Sequence, residues 1–301
     1  MGKDKCDVKI SCQSCETSET CSKEEKEAHD QKVLDARMSS IKYKFMVISG
    51  KGGVGKSTVA TNLAVTLAKE GFKVGLMDAD IHGPNIPIML GIEDAKPCAS
   101  GDGLLPIIAT EGLKVMSVAL FLGSRDDAVI WRGPLKHSLI RQFLGEVLWG
   151  NLDYLLIDLP PGTGDEALSV AHLLRKVDGA LVVTTPQDVA LLDSRKAVTF
   201  ARQLQIPSIG IVENMSGFKC PHCDQPIDLF KKGGGEKAAR ELLVPFLGSV
   251  PIDPDMVSCG DTGTPLVTKP DHDEVIRAFK HISERWRDLL SGVSEKHTVS
   301  A

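Results

Sequence analysis

Residues 45–58 read Phe45-Met-Val-Ile-Ser-Gly50-Lys-Gly-Gly-Val-Gly-Lys56-Ser-Thr58. The first five form a short apolar run ending in glycine, the pattern of a buried strand. Gly50, Gly55, Lys56 and Ser57 then satisfy G-x-x-x-x-G-K-[ST]. Each residue type has a physical task in such a loop. Gly50, Gly52, Gly53 and Gly55 let backbone N–H groups, that of Val54 among them, curl around phosphate oxygens without side-chain collision. Thr58 to Lys69 places Val59, Leu63 and Leu67 at helical spacing, so the positive end of a helix faces the same anion. Lys56 is expected to reach the outer phosphates and the Ser57 hydroxyl to ligate magnesium, with Thr58 near the α-phosphate. Chance produces this spelling in roughly one chain of a hundred of this length. A strand before it and a helix after it make chance a weaker account still.

Working outward, Lys73 to Asp78 reads as a second strand. Further apolar runs lie at Lys114 to Val118, Tyr154 to Asp158, Ala180 to Thr184, Ser208 to Val212 and Phe246 to Val250. Helical spacing fills most of the gaps: Leu135 to Leu148, Asp165 to Arg175, Val189 to Gln203 and Glu236 to Leu243. A last helix near Asp271 to Leu290 carries Val275, Phe279, Ile282, Trp286 and Leu289 on one stripe. Strands alternating with helices predict an α/β fold, a mostly parallel sheet covered by helices on both faces. Ligands of such sheets sit at the carboxyl ends of the strands. Two of those ends are acidic. One is Asp78-Ala-Asp80, and the other is Asp158, followed by Leu-Pro-Pro-Gly162. An aspartate ending an apolar strand in a P-loop protein holds magnesium directly or through water, so Asp158 joins the nucleotide-site candidates. The default for a lone strand-terminal aspartate is a turn or a cap. Three elements in the right order outweigh it.

The chain has 301 residues, 42% hydrophobic and 25% charged, with net charge −5. Residues 1–40 are polar, without apolar periodicity, and read as a flexible arm; a helix near Glu24 to Met38 fits within it. Residues 41–291 read as one ATPase domain and 292–301 as a polar tail. The acidic balance argues against nucleic acid and acidic membrane surfaces as partners. The polar start gives no secretory signal and no apolar run is long enough to span a bilayer, so a cytoplasmic protein is expected.

Eight cysteines are present. Cys6, Cys12, Cys15 and Cys21 crowd the arm, Cys220-Pro-His-Cys223 forms a C-x-x-C pair, and Cys98 and Cys259 stand alone as plain thiols. C-x-x-C pairs in an intracellular nucleotide-using protein point to metal, cluster or redox chemistry rather than structural disulfides. One pair offers two thiolates, and a tetrahedral zinc or a four-iron cluster takes four; two chains about a two-fold axis would supply them. The four arm cysteines could wrap one centre within one chain. By spacing alone, zinc and a redox dithiol stay open for the pair, and a zinc knot for the arm.

The loop spelling G-K-G-G-V-G-K-S-T resembles the deviant Walker A loop of the group containing MinD, ParA, the nitrogenase iron protein and the Mrp/ApbC carriers. Together with Asp78-Ala-Asp-Ile-His-Gly-Pro-Asn85, Trp131-Arg-Gly-Pro134, Asp158-Leu-Pro-Pro-Gly-Thr-Gly-Asp165 and the C-P-x-C pair, the chain over about residues 41–290 is similar to the Mrp/ApbC iron–sulfur cluster carriers. This resemblance implies ATP with Mg2+, slow ATP hydrolysis and a homodimer. It implies that Lys51 reaches the partner's nucleotide, that Asp80 orients the attacking water and that Asn214 bonds adenine, flanked by Pro251-Ile-Asp253. It implies a 4Fe–4S cluster bridged by Cys220 and Cys223 of two subunits and handed to apo iron–sulfur client proteins, with His222 simply the variable residue between them. Trp131, Arg132 and Pro134 would lie near the dimer or client surface. The arm cysteines Cys6, Cys12, Cys15 and Cys21 resemble the amino-terminal cluster site of the cytosolic scaffold branch, Cys6 matching least well. The rival readings are a MinD- or ParA-like positioning ATPase, a zinc-binding regulatory ATPase and an electron-transfer reductase.

Overall fold

The computed structural model describes residues 21–122, 133–220, 222–223 and 225–298. Helix α1 (Lys23–Ser39) leads into strand β1 (Ile41–Ile48), followed by α2 (Lys56–Lys69), β2 (Val74–Asp78) and the short α3 (Ile86–Met89). The small strands β3 (Ala99–Ser100) and β4 (Gly103–Leu104) precede β5 (Ile107–Thr110) and β6 (Leu113–Ser117). Then come α4 (Gly133–Gly145), β7 (Leu152–Asp158), α5 (Asp165–Leu174), β8 (Gly179–Thr184), α6 (Asp188–Gln203) and β9 (Ser208–Glu213). The chain closes with β10 (Phe218–Lys219), β11 (Pro226–Ile227), α7 (Gly234–Leu242), β12 (Phe246–Ser249), α8 (Asp255–Asp261) and α9 (Asp273–Thr298).

Eight strands form one sheet in the order β12-β9-β8-β1-β7-β2-β6-β5. Every neighbouring pair is parallel except β6 with β5. The alternation of a strand's side chains divides the interior in two. Met46 and Ile48 of β1 face one way, into a core with Leu34 of α1, Ile140 and Phe143 of α4, Val170 of α5 and Val198 of α6. Phe45 and Val47 face the other way, against Leu63 and Leu67 of α2 and Phe279 and Trp286 of α9. Trp286 is fully buried, its ring 4.9 Å from that of Phe45. It lies so close over Gly179 that a Cβ there would stand 2.6 Å from the indole.

The α/β reading and the seven parallel strands are therefore present, with three differences. The boundary expected at residue 40 falls too late. Helix α1 buries Val33, Leu34 and Met38, and Ser22 caps it in a reciprocal capping box with Glu25. Residues 23–39 thus belong to the folded domain, because three apolar residues on one helix face suffice to dock it even in a polar sequence. Second, β5 adds an antiparallel edge whose alternating burial was masked by the turn residues around it. Third, Leu290 completes the buried stripe of α9, while Leu289 is half-buried. Among the described residues, no helix is long and apolar enough to cross a membrane.

Candidate functional site

Strand β1 lies in the middle of the sheet, between β8 and β7, and its carboxyl end runs directly into the phosphate loop. Gly53 and Gly55 adopt left-handed backbone conformations, φ +80° and +76°, which other residues enter only at a cost. Gly55 is the N-cap of α2, and a Cβ on it would fall 2.2 Å from the Asn214 amide nitrogen. At Gly50 a Cβ would collide at 2.2 Å with the backbone carbonyl of Asp193 on α6. The glycines are thus demanded by the walls of the loop as well as by its contents.

Lys56, Ser57 and Asp158 form a closed set. The Lys56 ammonium lies 2.7 Å from Asp158 Oδ1, and the Ser57 hydroxyl donates to Asp158 Oδ2 at 2.6 Å. Lys56 and Asp158 are both buried. Burial raises the Asp158 carboxyl, against the opposing pull of Lys56 and the hydrogen bonds from Lys56 and Ser57. Asp78 sits beside it, since β2 and β7 are paired with Asp78 opposite Asp158. Burial, then the Asp158 charge, push Asp78 up to about 8 despite a 2.9 Å hydrogen bond from the Ser117 hydroxyl. Asp78 is therefore an internal group tied to β6, whereas Asp80 is half-buried and accepts the Gly83 N–H at 3.3 Å.

Around the loop lies a pocket of about 220 Å³ whose lining includes residues 51–58, Asp80 and Pro161. Lys51 and Asp80 thus share a chamber with Lys56 and Ser57. Gly55, Thr58, Asn85 and Met89 also line a second, more apolar cavity of about 510 Å³. Its walls include Asn214, Phe230, Pro251, Asp253 and Met256. A polar chamber opening into an apolar one matches a polyphosphate carrying a nucleoside. The Ser57 hydroxyl beside the Asp158 carboxylate is a hard-oxygen pair of the kind that suits magnesium. Asn214 does lie in the wall of the nucleoside-sized cavity, but its Nδ2 donates to the Val54 carbonyl at 2.9 Å. The asparagine braces the phosphate loop from β9.

Cys220 and Cys223 occupy the tip of the hairpin formed by β10 and β11. The Cys220 N–H donates to the Gln225 carbonyl at 3.0 Å, closing the turn. Cys220 is half-buried and Cys223 exposed. A protruding pair of thiols fits soft-metal or cluster chemistry and leaves half of a four-thiolate set to another source. Cys21 is half-buried and immediately precedes the Ser22 cap of α1. Cys6, Cys12 and Cys15 lie outside the described residues, as do Trp131 and Arg132. Among the lone thiols, Cys98 is exposed and Cys259 buried.

Sequence reasoning missed Glu213 and the Gly233-Gly234-Gly235 run. Glu213 ends β9 with no solvent exposure, its carboxylate accepting the N–H groups of Gly233 and Gly235. Three consecutive glycines ahead of a helix were the available signal. Also unforeseen was His272, which lies 2.7 Å from Asp253, a residue of the larger cavity's wall, and 3.4 Å from Asp255.

Comparison with known proteins agrees with this construction. The family model described as ParA, NUBPL iron-transfer P-loop NTPase, matches residues 40–286. The iron–sulfur cluster carrier protein of Methanocaldococcus jannaschii is 51% identical over 292 residues, 96% of this chain and 99% of that protein. That coverage necessarily takes in most of the segment before residue 40. The cytosolic Fe-S cluster assembly factor CFD1 of Candida glabrata is 52% identical over 226 residues, 73% of this chain and 79% of its own length. Among solved structures, a nucleotide-binding protein from Archaeoglobus fulgidus in complex with ADP superposes with a TM-score of 0.71 at 42% identity, covering 80% of this chain and 94% of that one.

Proposed function

The chain belongs to the NUBPL iron-transfer P-loop NTPase family, and from that premise we propose that it is a cytoplasmic, ATP-dependent iron–sulfur cluster carrier acting as a homodimer. The observation that supports this best is the pairing of two sites in one fold. A phosphate loop with its lysine, serine and aspartate set opens into a nucleoside-sized cavity, and a pair of cysteines stands at the tip of a hairpin whose following residues line that cavity. The cargo is a 4Fe–4S cluster held by Cys220 and Cys223 of two subunits, destined for apo client proteins. A second cluster or metal is held by Cys6, Cys12, Cys15 and Cys21.

The nucleotide chemistry follows from the residues. Asp158 neutralises Lys56 and accepts from Ser57. ATP phosphates would offer Lys56 a stronger anionic partner, and Ser57 and Asp158 are the residues that would hold Mg2+. Mg2+ held there would supply neutralising charge to the phosphates. In this reading the Asp80 carboxylate orients the attacking water, and Lys51, which lines the same chamber, reaches across to the partner's nucleotide. An added positive charge against the developing phosphoryl charge is the usual reason that such hydrolysis accelerates on assembly.

The test is metal and acid-labile sulfide content after anaerobic reconstitution, with oligomeric state read in parallel. Wild type, Cys220→Ala/Cys223→Ala and Cys12→Ala/Cys15→Ala are compared. Iron and sulfide in equal amounts, each variant losing a different part, is the expected result. Zinc without sulfide, or content indifferent to Cys220 and Cys223, refutes the carrier reading.

A further inference from the structure

The cysteine hairpin and the nucleoside cavity share one segment of chain. Leu229 and Phe230 follow β11 closely and line the cavity. They are large apolar side chains left 57% and 39% exposed, surfaces that a nucleoside seated there would cover.

The two ends of that segment close on a single carboxylate. Glu213 Oε1 accepts the Gly233 N–H at 2.9 Å and the Ser216 hydroxyl, and Oε2 accepts the Gly235 N–H. Ser216 precedes the hairpin and Gly233 follows it, so the carboxylate clasps its root. A fully buried charge is costly unless hydrogen-bonded, and here three donors and the positive end of α7 satisfy it. The glycine run is shaped for this contact. Gly233 is left-handed at φ +80°, a Cβ on Gly234 would stand 2.5 Å from the Pro186 carbonyl oxygen, and one on Gly235 would stand 3.0 Å from the Glu213 side chain. The next residue, Asn214, holds the phosphate loop through the Val54 carbonyl. Adjacent residues at the end of β9 thus anchor the cysteine loop and the phosphate loop.

We propose that residues 216–233 act as one lever: a nucleotide seated against Leu229 and Phe230 repositions Cys220 and Cys223, with Glu213 as the fixed pivot. Glu213 is a positioning residue, since it touches neither site. The proposal rests on the reading of the cavity as a nucleotide site and of the cysteine pair as its dependent partner. Because coupling between binding sites is reciprocal, the factor by which nucleotide changes the pair's affinity for a metal is the factor by which a metal on that pair changes nucleotide affinity.

The experiment is peptide-resolved alkylation of the full-length, metal-free chain by iodoacetamide, with and without Mg-ADP. Wild type, Leu229→Ala/Phe230→Ala and Glu213→Gln are compared, each brought to full ADP occupancy as checked by calorimetry. Exposed Cys98 serves as the internal reference. ADP is expected to change the wild-type rates at Cys220 and Cys223 by about threefold or more, with Cys98 unchanged. In both variants the ratio with and without ADP returns to about one. A wild-type ratio of one with ADP bound overturns the lever. So does a ratio that survives in either variant: survival on loss of the wall residues means simple shielding by the ligand, and survival in Glu213→Gln beside a lowered melting temperature means a merely structural glutamate. A wild-type chain that fails to bind ADP sinks the nucleotide reading and the lever with it. Absence of iron at the pair sinks only the carrier reading, since the alkylation needs no cluster.

Discussion

Replacing Asp78 by asparagine should stabilise the nucleotide-free protein, and increasingly so as pH rises. The carboxyl is 1% exposed and its ordinary value of 3.8 is raised to about 8 by burial and by Asp158. Between those two values the folded chain keeps a proton on Asp78 that the unfolded chain has lost. Folding is therefore linked to proton uptake, and stability falls as pH rises, by about 1.4 kcal/mol per pH unit for one group. The loss begins near the unfolded value and is complete above the folded one. Asparagine has no proton to lose, and its amide can still accept the Asp80 N–H and pair with the rotatable Ser117 hydroxyl, the two contacts Asp78 makes now. Over the span from pH 5 to 7.5 the advantage of Asp78→Asn should grow by about 3 kcal/mol. Urea unfolding followed by tryptophan fluorescence, without magnesium or nucleotide, measures this directly, because Trp149 and Trp286 are buried reporters. Parallel pH profiles for the two proteins would show that Asp78 is already ionised in the folded state, and the account of β2 and β7 as neighbours sharing less than two full charges would be wrong.

Three other outcomes are expected. Lys136→Ala should cost about 3 kcal/mol at pH 7, because Glu166 would keep a nearly buried charge without its partner at 2.7 Å. Burial alone would raise Glu166, but the hydrogen bond and charge of Lys136 hold it below the ordinary range; the pair's contribution is present above that range and lost as pH falls through the lowered folded value, so the gap in melting temperature should narrow as pH falls below the ordinary carboxylate range. Asn214→Ala should weaken ADP binding about tenfold by calorimetry, since the Val54 carbonyl loses its partner and the phosphate loop its brace. Leu34→Ala in α1 should cost about 2–4 kcal/mol in chemical denaturation, whereas an independent arm would leave the transition unmoved.

How far the sequence could be read depended on how local each cause was. The phosphate loop, its helix and the aspartates at 78, 80 and 158 were legible because backbone geometry and charge dictate residue type at fixed spacing. The alternating strands were legible for the same reason, each buried run being bounded by turns. What was hidden depends on distant partners. The docking of α1 needs only Val33, Leu34 and Met38, too few to mark a polar segment as folded before α4 and α5 are seen beside it. The bond from Asn214 to Val54 joins residues 160 apart, and no spacing rule connects them. Glu213 read as an unremarkable strand end, because the donors that justify burying it come from Ser216 and from a glycine turn beyond the cysteine hairpin. Only the family resemblance set Asp80 apart from Asp78 in the sequence, and burial supplies the physical difference between the internal, proton-retaining group and the one facing the chamber.

The central position of β1 also governs when this molecule can come into being. Ile41 pairs with Leu152 and Phe45 with Gly179, so the strand that feeds the phosphate loop is made early and completed late. At ordinary synthesis speeds, roughly 10–30 s pass between emergence of β1 and emergence of its second neighbour. For that interval Phe45-Met-Val-Ile48 is an apolar segment with two open edges on a nascent chain. Its edges close only after β7 and β8 have been delivered, so nucleotide cannot act as an early template for this protein. Lys42 and Lys44, alternating with the apolar residues at the start of the strand, supply the charge that discourages premature pairing with other chains.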